Sequence, residues 1–245
     1  MPRFKTFLLL PCLLISFIVS AEPNIDTDKD GLPDAFEKAV GRNPLIADYD
    51  VATGYRRSCA RDDQGLKCWG EDSRIGEWKS SKHLLQISIG VNQACLLDDQ
   101  GVQCWGDNVN GQLTPPTLIK PVSVSVGGMH SCAIDAKGIK CWGSNSKKQL
   151  DLPKNLKNVR QISAGGSHTC ALSDKGVACW GDNWSGQLDV PELFNPIQIS
   201  SGNHHSCALD DHGVSCWGDT YLDETAASFI YKTRLIPSLK NPRYI

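Results

Sequence analysis

The chain has 245 residues, of which 40% are hydrophobic and 21% are charged, and its formal net charge is −2. This balance gives no support to nucleic-acid binding, which usually needs a strongly basic surface. The 11 cysteines make disulfide bonds or a bound metal the first questions to ask of the sequence.

The first 21 residues have the pattern of a secretory signal peptide. Arg3 and Lys5 form a charged start, residues 7–19 are an apolar run, and Val19, Ser20 and Ala21 provide small residues at a cleavage site. The run has roughly 13 residues, whereas a helix needs ~20 to cross a bilayer. The alternative is an uncleaved anchor.

Cleavage after Ala21 changes the cysteine count and the charge. It removes Cys12 and leaves ten cysteines. Cys12 is not expected to be a lipid-attachment site, because Pro11 precedes it and apolar residues follow it. An even number of cysteines in an exported chain indicates a disulfide framework. The loss of two basic residues makes the net charge −4. No other segment is apolar enough to span a membrane, and we expect a secreted, periplasmic or cell-envelope location.

Residues 22–50 are expected to form a calcium-binding loop and linker. The stretch DTDKDGLPDAFE at 26–37 places oxygen donors and Gly31 at the positions of an EF-hand-type loop, in which a hard cation takes 6–8 oxygen ligands. Pro33 can begin the helix that follows. The loop resembles a lone dockerin-like or thrombospondin-type-3 loop, and the alternative is a solvated acidic linker. The predicted ligands are Asp26, Asp28, Asp30, Leu32, Asp34 and Glu37.

Residues 51–245 contain a repeat with a period near 37 residues. Five Cys-Trp-Gly triplets follow each other at spacings of 36, 37, 38 and 37 residues. Each triplet has a second cysteine nine residues before it and a glycine six residues after that cysteine. Such a period predicts stacked or radially arranged units, each with a short strand such as 161–165, a hairpin and a polar loop.

The hairpin predicts the pairing of the cysteines. In a symmetric antiparallel register Cys170 lies opposite Cys179, where Cβ atoms are ~4.5–5.5 Å apart and a disulfide needs little adjustment. Free thiols or zinc ligands are the alternative, but a nine-residue gap is not a zinc-knuckle spacing. The predicted disulfides are Cys59–Cys68, Cys95–Cys104, Cys132–Cys141, Cys170–Cys179 and Cys207–Cys216.

Two further side chains recur at fixed positions. The tryptophans of the triplets are expected to pack between units: Trp69, Trp105, Trp142, Trp180 and Trp217. His130, His168 and His205 each lie two residues before a cysteine and are expected to tie loops together by hydrogen bonds. Arg57 and Gln93 replace histidine in the first two units, which argues against a ring of metal ligands.

The units resemble repeats of the regulator-of-chromosome-condensation superfamily, as in GGSHTCALSDKGVACWGDNWSGQL at 165–188. The resemblance covers residues 51–218 and implies an all-β propeller. The short units look closer to those of a secreted bacterial propeller of that superfamily that inhibits β-lactamases than to the blades of the nuclear exchange factor. Propellers close with 4–8 blades, and five units are clear. The tail at 236–245 matches 152–162, the start of the fourth unit, and therefore either closes the ring or leaves the propeller incomplete. Residues 222–235 are expected to form a helical insertion.

One loop position varies from unit to unit. Three residues after each Trp-Gly glycine stand Ser73, Val109, Ser146, Trp184 and Tyr221. Loops on one propeller face would arrange these residues as a ring, and aromatic residues are enriched in binding hot spots. Val109, Trp184 and Tyr221 are therefore the candidate binding residues, with packing at the edge of the sheets as the alternative.

The repeats contain no nucleophile–base pair and no phosphate-binding loop. The stretch SDKGVACW at 173–180 is similar to a turn motif of sialidases, but the repeats lack the arginine cluster that such an enzyme needs. We expect an exported, non-enzymatic module that binds a protein or a glycan, with calcium as a cofactor in its N-terminal linker. The alternatives are a structural cell-envelope protein and an enzyme or enzyme inhibitor. Folds host many functions, so the fold alone does not decide among them.

Overall fold

The computed structural model of the chain describes Ile25, Thr27, Asp34, Ala35, Lys38 and residues 51–55, 57–62, 65–70, 84–219 and 234–235. Asp34, Ala35 and Lys38 have a helical backbone, and the remaining regular structure is β. Among the described residues, no helix is long and apolar enough to span a membrane. The predicted signal peptide lies outside the described residues.

Fifteen strands form five antiparallel units of three strands in chain order. The first unit consists of β1 Val51–Thr53, β2 Arg57–Asp62 and β3 Gly65–Gly70, and the second of β4 Leu84–Ile89, β5 Gln93–Asp98 and β6 Gly101–Gly106. The third consists of β7 Ser123–Val126, β8 His130–Asp135 and β9 Gly138–Gly143, and the fourth of β10 Gln161–Ala164, β11 His168–Ser173 and β12 Gly176–Gly181. The fifth consists of β13 Gln198–Ser201, β14 His205–Asp210 and β15 Gly213–Gly218. The predicted all-β fold with five repeated units is confirmed.

A sixteenth strand, β16 Arg234–Leu235, pairs with the outer edge of β15. The expectation of a helical insertion at 222–235 is wrong for these two residues, because Arg234 lies opposite Cys216 and Leu235 opposite Ser215 in the sheet. Sheet pairing outside the unit satisfies backbone groups that β15 would otherwise present at an edge. The other residues of that stretch lie outside the described part of the chain.

The second and third strands of every unit form the predicted hairpin, and all five predicted disulfides are present. Each pair of cysteines is directly opposed, for example Cys170 with Cys179. The Cα–Cα distances are 4.0–4.1 Å and the sequence separation is nine in each case. Gly101 and Gly176 close two of the turns with φ of 115° and 92°, a conformation that glycine adopts without steric cost.

The core lies between consecutive units rather than within one sheet. One cluster joins Cys170 and Leu172 of the fourth unit to Ile199, Ala208 and Trp217 of the fifth, and the same positions recur at the preceding boundaries. The alternation of buried and half-buried residues along β7 and β10 directs every second side chain toward the previous unit. Each unit therefore gains its stability from its neighbours, as in other repeat proteins.

Polar side chains also join the inner strands of neighbouring units. The Ser125 hydroxyl accepts a hydrogen bond from the Ala164 amide at 2.9 Å, and the Ser163 hydroxyl accepts one from the Ser201 amide at 2.8 Å. The side-chain amide of Gln161 bonds both the amide and the carbonyl of Ile199, each at 2.8 Å. These bonds fix the spacing between units near the inner strands.

Candidate binding face

The loops that follow the Trp-Gly pairs, here called the rim loops, comprise residues 107–113, 144–150 and 182–188 in units two to four. Each loop is held by an asparagine side chain. The amides of Leu113, Leu150 and Leu188 donate to the Oδ1 atoms of Asn108, Asn145 and Asn183 at 2.9, 2.9 and 2.8 Å. Asparagine commonly bonds backbone groups a few residues away in this manner. The repeated geometry gives the three loops the same backbone frame.

A buried glutamine anchors each rim loop from beneath. Gln112, Gln149 and Gln187 are buried, and their Oε1 atoms accept the backbone amides of Asn110, Lys147 and Ser185, each at 2.8 Å. Their backbone carbonyls accept the indole N–H groups of Trp142, Trp180 and Trp217 of the next unit, each at 2.9 Å. The tryptophan of one unit thus holds the rim loop of the unit before it.

The predicted inter-unit packing of the tryptophans is confirmed for Trp142, Trp180 and Trp217, which are buried in the clusters between units. Trp105 packs partly buried against the cluster between the first two units. Trp69 differs, since its side chain is 55% exposed. In the later units, the tryptophan at this position packs against the preceding unit. Within the described residues no unit precedes the first, so Trp69 has no such surface to pack against.

Residues at the tips of the rim loops project outward from this frame. Val109 is 83% exposed and Trp184 is 84% exposed, and Ser146 at the equivalent position is also exposed. An indole this exposed is not part of a core, so the alternative of edge packing does not describe Trp184. Tyr221 and Ser73 lie outside the described residues.

The connections between the first and second strands lie at the same end of the sheets as the rim loops. The amides of Ser144, Asp182 and Asp219 donate to the carbonyls of Met129, Ser167 and His204 in those connections at 2.8–2.9 Å. Met129 is 49% exposed, and its Sδ atom lies 3.6 Å from the Asn110 side-chain nitrogen. The Lys147 ammonium and the Asp182 carboxylate lie 3.6 Å apart. This end, here called the rim face, therefore combines exposed apolar tips with mixed charge.

Histidines connect the units below the rim face, through side chains on strands rather than through the expected bonds between loops. His130 Nε2 lies 2.9 Å from Thr169 Oγ1, and His168 Nε2 lies 2.8 Å from Ser206 Oγ. The Thr169 hydroxyl donates its proton to the Gln149 carbonyl at 3.0 Å, so His130 must donate through Nε2. Burial lowers the pKa of both histidines to about 4, which keeps the rings neutral.

The His130 ring requires a glycine beside it. A Cβ atom at Gly127 would lie 2.6 Å from Cε1 and 2.9 Å from Nδ1 of His130. The ring therefore occupies the space that any other residue at 127 would need, and it lies against the backbone of the connection that leads to the rim face. His205, at the equivalent position of the fifth unit, is exposed.

Of the predicted calcium ligands, only Asp34 lies within the described residues. Its carboxylate accepts hydrogen bonds from the Thr27 amide at 2.8 Å and the Thr27 hydroxyl at 2.7 Å, and these bonds lower the pKa of Asp34. Asp26, Asp28, Asp30, Leu32 and Glu37 lie outside them. The described residues contain no group of three or more histidine, cysteine or acidic side chains that could hold a metal ion.

Comparison with known proteins identifies the class of fold. Residues 159–187 match the family model of the regulator of chromosome condensation (RCC1) repeat. The chain is similar to the ectodomain of the receptor kinase CR4 from Physcomitrella patens, with 25% identity over 71% of this chain and 53% of that chain and a TM-score of 0.59. With the repeat match and the five units, this likeness shows a β-propeller built from RCC1-type repeats.

Two other solved propellers have the same fold. The ectodomain of the Arabidopsis thaliana receptor kinase ACR4 shares 24% identity over 69% of this chain and 67% of that chain, with a TM-score of 0.57. Prp20p from Saccharomyces cerevisiae, whose binding properties toward Gsp1p and histones are known, shares 20% identity over 72% and 58%, with a TM-score of 0.59. As the coverage of 53% given above shows, the chain spans about half the length of the CR4 ectodomain. No curated protein sequence matches the chain.

Proposed function

We propose that this protein is an exported, non-enzymatic binding module that uses the rim face to bind a protein or a glycan. The observation that carries the proposal is Trp184, whose indole is 84% exposed on a loop fixed by the Asn183 and Gln187 side chains. A rigid loop presents the indole with little further loss of conformational entropy, which favours affinity. Tryptophan is among the residues most enriched in binding hot spots.

The arrangement of the tips favours a large ligand. Val109 belongs to the second unit and Trp184 to the fourth, so a ligand that contacts both must cross the third unit. A macromolecular surface has that extent, and a small metabolite does not. Two of the similar propellers are receptor ectodomains, which supports an extracellular binding role for this chain as well.

Replacement of Trp184 tests the proposal. We expect Trp184→Ala to leave the thermal midpoint unchanged and to weaken capture of the ligand from the native culture at least ~10-fold, which corresponds to ~1.4 kcal/mol. Ser146→Ala, at the same exposed position of the third unit, is the matched control and should bind as the unaltered protein does. A large fall in the midpoint with capture intact would show that Trp184 is structural.

Export is the part of the proposal that the disulfides support. Five disulfides persist in an oxidising compartment and are rare in the cytosol. Residues 1–21 have the sequence pattern of a secretory signal peptide, which also supports export. Fractionation of the native cells, with sequencing of the mature N-terminus, would test both the location and the cleavage after Ala21.

We also propose that calcium stabilises the N-terminal linker at residues 26–37. The Asp34 carboxylate is ionised and uses one lone pair of each oxygen for Thr27, so both oxygens retain capacity for water or a cation. Calcium titration of the intact protein should show one site, and Asp30→Ala should abolish it. Equal calcium binding by that variant would contradict the ligand set. Ligand capture with and without EGTA tests whether the linker contributes to binding.

A further inference from the structure

The end of the sheets opposite the rim face carries a second exposed surface, here called the turn face. It is formed by the hairpin turns and by the residues that lead into the inner strands, which lie beside those turns. In the third and fifth units, the turn amides of Ala136 and Asp211 donate to the carbonyls of Ile119 and Phe194, each at 2.9 Å. In units three to five the turn face comprises residues 119–122, 136–138, 157–160, 174–176, 194–197 and 211–213.

Five exposed basic side chains lie on the turn face of the third and fourth units. None of them forms an ion pair, whereas Lys140 nearby is paired with the buried Asp135 carboxylate at 2.9 Å. Within the described turn-face residues of these two units, Asp174 is the one acidic residue. A local excess of positive charge thus lies on a chain whose formal net charge is −2. The five basic residues are Lys120, Lys137, Lys157, Arg160 and Lys175.

The third unit departs from the repeat in a way that raises this charge. In the fourth unit the Asn158 side chain donates to the Asp174 carboxylate at 2.7 Å, and the fifth unit repeats this pair at 2.6 Å. The third unit has Lys120 and Ala136 at these two positions. Lys120 has φ of 50° and Asn158 of 51°, a left-handed conformation that asparagine adopts more readily than lysine. The backbone therefore favours asparagine at residue 120, and the lysine instead adds an unpaired charge to the surface.

Exposed apolar side chains lie on both sides of the basic residues of the fourth unit. Val122 is 70% exposed and Ile197 is 61% exposed, at the positions that Arg160 occupies in the fourth unit. The amides of all three residues donate to the middle strand of their own unit at 2.8–2.9 Å, which fixes their place at the end of the sheet. Ile119 and Phe194 beside them are exposed as well. Several exposed apolar residues at one end of a protein, next to charged ones, mark an interaction surface.

We propose that the turn face binds the surface of an anionic lipid bilayer, with its basic side chains at the headgroups and Val122 and Ile197 at the edge of the acyl chains. Lysine and arginine are attracted to anionic lipids within a Debye length of the surface. Apolar side chains on the same surface enter the boundary between headgroups and acyl chains. Attachment in this orientation directs the rim face away from the bilayer, because the two faces are at opposite ends of the sheets. The proposal does not rest on the ligand of the rim face.

The composition of the turn face favours a bilayer over other anionic partners. Four of its five unpaired basic residues are lysines, and lysine is depleted in protein–protein interfaces, where arginine and aromatic residues are enriched. A soluble polyanion would neutralise the charges, but it offers no apolar phase to Val122 and Ile197. A bilayer provides both the negative charge and the apolar phase.

Sedimentation of the exported protein with lipid vesicles tests the charges. We expect binding to vesicles of equal parts phosphatidylglycerol and phosphatidylcholine, and none to phosphatidylcholine alone. The double variant Lys120→Asn and Lys175→Gln should bind at least ~10-fold more weakly, because each basic residue near an anionic surface contributes roughly fivefold. Lys147→Gln with Lys148→Asn makes the same change of charge on the rim face and should bind within about 2-fold of the unaltered protein. Absence of binding by the unaltered protein, or equal weakening in both double variants, would overturn the proposal.

A second pair of variants separates a bilayer from a soluble polyanion. Val122→Ser with Ile197→Ser keeps every charge, and it should weaken binding to the same vesicles at least ~5-fold because less apolar surface leaves the water. Both side chains are exposed, so the thermal midpoint should stay within about 2 °C. Val109→Ser with Met129→Ser removes exposed apolar side chains from the rim face and should not change vesicle binding. Unchanged binding by the first pair, together with equally tight binding of the unaltered protein to soluble polyphosphate, would assign the face to a polyanion and contradict the proposal.

Discussion

The buried histidines show how single residues hold neighbouring units together. His130 donates to Thr169, Thr169 donates to the Gln149 carbonyl, and Trp180 donates to the same carbonyl, so the chain of bonds joins the third unit to the fourth. His130 Nδ1 has no hydrogen-bond partner among the described residues. Protonation at Nδ1 would create a buried N–H without an acceptor, which explains physically why the neutral ring is favoured.

This network predicts a loss of stability in mild acid. The pKa of His130 and of His168 is about 4 in the folded protein and 6.5 ordinarily, so the unfolded chain binds more protons between these values. The stabilisation that these histidines contribute should therefore be complete above about pH 6.5. The free energy of unfolding should fall by up to about 3 kcal/mol per histidine as the pH drops to 4. Asp135, whose pKa is lowered to about 2 by hydrogen bonds from the Ile119 amide and Lys140, contributes only at lower pH.

Urea unfolding at pH 7 and pH 4.5 measures this slope. The double variant His130→Gln and His168→Gln should flatten it, because Gln93 at the same position of the second unit already bonds the next unit without titrating. His212→Gln, at an exposed hairpin residue, is the control for the removal of a histidine outside this network. An unchanged slope in the double variant would show that other groups govern the acid response.

At the scale of the element, the disulfide hairpin is the invariant part of each unit. Every hairpin has six residues in each strand, opposed cysteines and a glycine at the start of the second strand. The first strands are shorter than six residues in four of the five units, and the connections between units differ in length. Because each bridge closes a small loop, it removes limited entropy from the unfolded chain and mainly fixes the hairpin register.

Removal of one bridge should therefore have a moderate effect. We expect the paired substitutions Cys170→Ala and Cys179→Ala to lower the free energy of unfolding by about 2–3 kcal/mol, with the other four bridges intact. Urea unfolding under oxidising conditions gives the value, and non-reducing peptide mapping confirms the remaining pairs. A bridge found between two units would contradict the hairpin register.

At the scale of the whole molecule, the sequence predicted the features that repeat. A spacing of nine residues around a turn glycine determines which cysteines face each other, and five copies make the register unambiguous. The buried glutamines of the rim loops were missed, because a polar residue in a polar loop gives no local sign of burial. Their constant place seven residues after Trp105, Trp142 and Trp180 was the available signal.

The repeat pattern could not predict how the burial of equivalent residues depends on the place of their unit in the array. Trp69 and Trp180 occupy the same place in their units, and His205 the same place as His168, yet Trp69 and His205 are exposed. Their environment depends on the neighbouring unit and not on local sequence. In a repeat protein the boundary between units contributes much of the stability, so equivalent residues at an end contribute less.

The two tryptophans make this difference measurable. Trp180 is 6% exposed, belongs to the cluster between the third and fourth units and donates to the Gln149 carbonyl, so Trp180→Ala should cost about 3–5 kcal/mol of unfolding free energy. Trp69 is 55% exposed, and Trp69→Ala should cost less than about 1.5 kcal/mol by the same area argument. Urea unfolding of both variants at two protein concentrations tests the comparison. Equal costs would show that Trp69 is covered in solution, and a cost for Trp69→Ala that rises with protein concentration would identify the cover as another copy of the chain.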